Sequence, residues 1–154
     1  MSIRTSPALA TASLLVACGT TPTPPTAAVA PGQQAVTLRF AAQVNGQPFA
    51  CGQRYTGVGS TRSTITPSDY RFYVSEVQLI DARGRAVPVT LTQDGAWQLE
   101  NIALLDFENG TGPCRNGTAD TNTAVRGTVP AGTYTGVRFT LGVPFARNHG
   151  DPTT

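Results

Sequence analysis

The chain carries one imidazole, His149, in the stretch GVPFARNHGDPTT from Gly142 to Thr154. A single histidine narrows the chemistry. Nucleophilic hydrolysis needs a nucleophile beside a base, and no Gly-x-Ser-x-Gly elbow occurs anywhere in the sequence. The nine carboxylates lie mostly beside turns, and Asp69 after Pro67-Ser68 and Asp94 before Gly95 have plain turn explanations. Asp106 and Glu108, next to Asn109-Gly110, could offer oxygens to a hard cation such as calcium. Their spacing lacks a full calcium-loop pattern, so a solvated turn is expected. Trp97 reads as a strand start with its indole packed on a sheet face, and Tyr55, Tyr70, Tyr73 and Tyr134 read as strand packing. No enzyme is expected from these residues.

The three cysteines divide by position. Met1 to Ala17 has one early positive charge at Arg4 and a short apolar run from Ala8 to Ala17, too short to span a bilayer as a helix. This is the pattern of a signal peptide. Leu15-Val16-Ala17-Cys18 has the order of a bacterial lipobox, so Cys18 is the expected lipid-attachment residue and mature N-terminus. Gly19 is not an aspartate, which in a double-membrane bacterium points to the outer membrane. Residues 18–34 are rich in Pro, Thr and Ala and carry no charge; such a segment reads as a tether. Export would place Cys51 and Cys114 in an oxidising compartment, where two thiols within reach tend to pair. A bridge would close a loop of about 60 residues and contribute about 4 kcal/mol by chain entropy. Free thiols or a thiolate metal site are the rival readings.

The elements that must position these residues are strands. Gly, Pro and Thr are abundant and helix formers are never concentrated, which favours short strands joined by turns. Val36, Leu38, Phe40, Ala42 and Val44 alternate with polar residues, predicting a half-buried strand over Ala35 to Val44, closed by the turn signal Asn45-Gly46. Gln53 to Ser68 reads as a long irregular loop, with a short strand near Thr64 to Thr66. Asp69 to Leu91 reads as strand, turn at Ala82 to Arg85, and strand. The apolar phase shifts between Phe72/Val74 and Val77/Leu79, which predicts either a bulge near Ser75-Glu76 or burial on both faces, and Pro88 places the second strand at a sheet edge. Ala96 to Phe107 adds an apolar run. A final strand puts Val137, Phe139, Leu141 and Val143 on one face. About six strands and no convincing helix predict an all-β antiparallel sandwich, immunoglobulin-like or similar, over residues 35–154. The formal charge of +2 comes with eleven scattered arginines and no basic stripe, so no nucleic-acid partner is expected.

Four segments, PFACGQRYTGVGST, ITPSDYRFYVSEVQLID, VPVTLTQDGAWQLENIALLDFENGTGPC and VRGTVPAGTYTGVRFTLGVPFARNHGD, resemble in order and spacing the MbnP-like family, also described as the four-Cys partner of a metallo-mystery pair. The match runs over nearly all of Val36 to Asp151. The resemblance implies an exported copper-binding protein encoded beside a di-haem, MauG-like (MbnH-like) enzyme. That enzyme oxidises a tryptophan of the β-protein to kynurenine, and copper binding depends on the change. By the same resemblance Cys51 in FACG and Cys114 in GTGPC match the first two family cysteines, and His149 in NHGD matches a metal-site segment. The other two cysteines and a Trp-rich stretch with further strands are expected beyond Thr154, so the sandwich is expected to be incomplete at its C-terminus. The resemblance does not align Trp97 with the modified ring. Copper suits imidazole, and one histidine cannot complete such a site. The reading is therefore a lipid-anchored copper protein that serves as substrate of a di-haem oxidase. The alternative is a metal-free extracellular sandwich for binding or adhesion.

Overall fold

The computed structural model describes residues 29–149. Strand β1 (Gln33–Arg39) alternates half-buried and exposed positions along its length, as its residue pattern requires. It stops five residues short of the expected Val44, because Asn45-Gly46 organises a separate hairpin, β2 (Gln43–Val44) with β3 (Gln47–Pro48). Asn45 and Gly46 both have positive φ, 51° and 77°, the backbone of the two-residue turn that matches strand twist.

The short strand expected near Thr64 to Thr66 is β5 (Ser63–Ile65), and it pairs in a second hairpin with β4 (Tyr55–Val58), which lies where the rest of residues 53–68 was expected to be loop. One side chain secures it. The Tyr55 ring is buried, its hydroxyl donates to the Pro48 carbonyl at 2.9 Å, and the Ala50 N–H donates to that hydroxyl at 2.8 Å.

Strand β6 (Arg71–Asp81) is the long central strand and carries the expected bulge. Glu76 sits at φ 54°, and the register against the last strand slips between Gln78 and Ser75. The extra residue resets the phase, so Val74 before it and Val77 and Leu79 after it all reach the core. The chain turns at Asp81 to Arg85, where the Asp81 Oδ1 accepts the Arg83 and Arg85 N–H groups. It returns as β7 (Ala86–Pro88) and β8 (Thr90–Leu91). β7 pairs with β6, but β8 belongs to the other sheet, so the strand crosses the sandwich at buried Val89. Pro88 lies where the pairing ends, the place a strand tolerates a missing N–H.

β9 (Gln98–Leu99) and β10 (Ile102–Asp106) follow, then a 3₁₀ turn at Gly112–Cys114. β11 (Ala124–Pro130), β12 (Tyr134–Leu141) and a single helical turn, α1 (Phe145–Asn148), complete the described chain. The sheets are antiparallel, in the orders β1-β11-β8 and β12-β6-β10-β9 with β7 beside β6. Val74, Val77, Leu79, Val89, Leu91, Ala103, Leu105, Val125 and Val129 fill the space between them. This is the all-β sandwich that the alternation predicts. β8 and β11 come so close that a Cβ at Gly127 would overlap the Thr90 carbonyl.

β12 keeps the expected alternation but not the expected burial. Val137 is 49 % exposed and Leu141 70 %. The cause is position: β12 is an edge strand of the larger sheet, with Phe40 packed edge-on to the Phe139 ring at 5.7 Å. The segment expected to be a signal peptide, Cys18 and most of the expected tether lie outside the described residues.

Candidate functional site

Cys51 and Cys114 form a disulfide, with their Cα atoms 5.9 Å apart. The bond ties the chain just after the β2–β3 hairpin to the 3₁₀ turn, across a sequence separation of 63 residues, and a loop of that size contributes about 4 kcal/mol. The Cys114 side is fully buried, whereas Cys51 is half-buried.

Glu108 lies against this bond. It is only 1 % exposed, and Asp106 is 2 % exposed, so the expected solvated turn is overturned. The reason is the aromatic packing between them. Phe107 joins Tyr70 at 5.5 Å and Phe72 at 6.1 Å, and its N–H donates to the Tyr70 carbonyl. The chain is thereby held inward on both sides of Phe107. Asn122 closes it further, exchanging backbone hydrogen bonds with Asp106 and donating its amide to the Leu104 carbonyl at 2.7 Å.

The Glu108 carboxylate has unequal oxygens. Oε2 accepts the Gly110 N–H at 2.9 Å. Oε1 is buried without a hydrogen-bond donor, with the Arg71 guanidinium 3.6 Å away and Arg71 also held by Asp69 at 3.0 Å. The sulfurs of Cys51 and Cys114 and a Glu108 oxygen all lie within 4.8 Å of one another. Burial pushes the Asp106 carboxyl above its ordinary range; the Glu108 N–H opposes that shift and the Glu108 charge adds to it.

His149 stands apart. It caps the helical turn, stacks on Phe145 with ring centroids 3.9 Å apart, and places Nδ1 3.1 Å from the Phe145 carbonyl. It is exposed, and among the described residues the three-donor cluster that forms is Cys51, Glu108 and Cys114, without His149. The described residues therefore do not make a copper site around it. An ion pair between Arg147 and Glu100 holds the segment against the β9–β10 turn.

Trp97 is half-buried in a groove of about 540 Å³ with Tyr73, Leu99, Leu104, Val143 and Arg147. It stands one position before β9 (Gln98–Leu99), and it lines this groove and not the core between the sheets. Asp94 sets the turn before it, its Oδ1 accepting the N–H groups of Ala96, Trp97 and Gln98 at 2.8 to 3.0 Å. Partial desolvation works against the Asp94 carboxylate, but these donors outweigh it and hold the carboxyl below its ordinary range. Gln98 was not legible as a structural residue. It is buried, its amide donates to the Thr92 and Arg126 carbonyls, and its oxygen accepts the Arg126 N–H at 2.7 Å. It bridges the two sheets.

The fold and the disulfide define an antiparallel sandwich with a buried acidic side chain against its bridge. Residues 33–154 match the model of the MbnP family, and the chain belongs to that family. The structure is similar to MbnP from Methylosinus trichosporium, with a TM-score of 0.60 and 35 % identity over 73 % of this chain. The alignment spans 39 % of that protein's length. No curated protein matches the sequence.

Proposed function

We propose that this chain is an exported, lipid-anchored copper-binding protein, the partner and substrate of a di-haem MauG-like (MbnH-like) enzyme that oxidises a tryptophan to kynurenine. The observation that carries the reading is membership of the MbnP family, at 35 % identity to a solved member. Two features support it. A disulfide closing a long loop suits an oxidising compartment, and the Leu15-Val16-Ala17-Cys18 order suits lipid attachment at the end of a signal peptide. In this reading the protein is not itself an enzyme. His149 supplies one imidazole to copper, and the other donors come from outside residues 29–149.

The experiment is co-expression of the protein as encoded at its locus with the neighbouring di-haem enzyme, followed by peptide mass spectrometry. The expected result is kynurenine in place of one tryptophan, only when the enzyme is present, with the protein in the membrane fraction until Cys18 is changed to Ala. Unmodified tryptophan throughout contradicts the reading. One observation favours the metal-free binding module instead: the groove at Trp97 is open and bordered by exposed Leu99 and Tyr73. A genomic neighbourhood without a two-haem Cys-x-x-Cys-His protein would favour that second reading.

A further inference from the structure

We propose that Cys51, Cys114 and Glu108 form a redox-gated zinc site, closed while the disulfide is intact and opened by its reduction. The site is separate from copper binding and does not involve His149.

The first argument is the buried oxygen. Glu108 Oε1 has lost its water and gained no hydrogen-bond donor, a costly arrangement that ordinarily has a structural or chemical reason. It is within 4.8 Å of both sulfurs. Two thiolates and a carboxylate make the three-ligand set that zinc takes with a water in the fourth place. Zinc–sulfur bonds of about 2.3 Å and zinc–oxygen bonds of about 2.1 Å hold tetrahedral ligand atoms about 3.5–3.8 Å apart, so the two bonded sulfurs separate on reduction by side-chain rotation while the Glu108 oxygen is already within 4.8 Å of both. The backbone already holds Cys51 and Cys114 as near neighbours.

Charge gives the second argument. Two thiolates and one carboxylate carry three negative charges; a divalent ion neutralises two, and Arg71, at 3.6 Å from Glu108 and shared with Asp69 at 3.0 Å, partly offsets the third. Without the ion the two sulfurs stay protonated as thiols, so the negative charge appears only as the metal displaces their protons. The half-buried Cys51 is the side open to attack.

The step balances with a dithiol reductant. The dithiol gives two electrons and two protons to the S–S bond, which breaks into two thiols, and the reductant closes to its own disulfide. Zinc binding then releases the two thiol protons to solvent.

The test begins with protein reduced under anaerobic conditions, freed of reductant, and checked for two more titratable thiols than the oxidised protein. Cobalt(II) serves as the spectroscopic probe and zinc as competitor. The expected result is one cobalt per chain with thiolate-to-cobalt charge-transfer bands, displaced by zinc, and none in the oxidised protein. Zinc should also raise the melting temperature of the reduced protein. Glu108→Gln should keep the thiolate bands but weaken binding by about tenfold or more, and the double variant Cys51→Ser, Cys114→Ser should lose the bands. Reduced protein with two free thiols and no cobalt bands overturns the proposal, as does Glu108→Gln binding equal to the wild type. Should Glu108→Gln fail to fold, the wild-type cobalt bands and zinc-dependent melting decide alone.

Discussion

The carboxylate of Glu108 occupies the space that a Cβ at position 117 would need, so Gly117 and Glu108 fit only because one of them has no side chain. Gly117 is not among the glycines with positive φ, so the requirement is for room and not for a left-handed backbone. Gly117→Ala should therefore push Glu108 away from Gly110 and Arg71 and strain the disulfide-tied loop. The expected loss is about 1–3 kcal/mol, read by urea denaturation of the oxidised protein. An unchanged midpoint would mean that Glu108 relocates freely.

Gln98→Ala should cost about 1–3 kcal/mol, because it leaves the Arg126 N–H and the Thr92 carbonyl without their partner between the sheets, while the Arg126 carbonyl keeps the Thr92 N–H. Equilibrium denaturation checks it. Exposed Gln53, which makes one 3.3 Å contact with its neighbour Arg54, is the control, and its alanine variant should change stability little.

Asp94 and Asp106 should give opposite pH signatures. Hydrogen bonds hold the Asp94 carboxyl below 3.8 in the folded state, so its stabilisation is present above that value and lost as pH falls through the folded pKa. Asp94→Asn should therefore be less stable than wild type at neutral pH, with the gap shrinking below pH 3.8. Desolvation raises the Asp106 carboxyl above 3.8, so its contribution is full below that value and lost as pH rises through the folded pKa. Asp106→Asn, which can still accept the Glu108 N–H, should flatten the fall in stability over that interval. Melting temperature against pH for both variants is the measurement.

The strands were legible where side chains alternate against a covered face. β1, the bulge at Glu76, the turn at Asn45-Gly46 and the shared face of β12 all follow from local residue types. Burial was less legible, because it depends on what lies opposite: Leu141 has the right phase and yet stands exposed at an edge. Of the β4–β5 hairpin, β4 escaped because its anchor is one tyrosine hydroxyl reaching Pro48 and Ala50, not an apolar pattern. Asp106 and Glu108 were misread for a similar reason. Next to Asn109-Gly110 they look like turn residues, and nothing local announces Arg71, Gly117 or the bridge at Cys114. The Cys51–Cys114 pairing was open by cysteine count alone, and the structure assigns it.

Copper titration tests the central claim most directly. The protein is prepared as encoded at its locus, with and without co-expression of the proposed di-haem partner, and compared with His149→Ala. The account predicts about one tightly bound copper only after co-expression, and a clear loss of affinity in the His149 variant. Equal copper binding with and without the enzyme, or equal binding by wild type and His149→Ala, would contradict it.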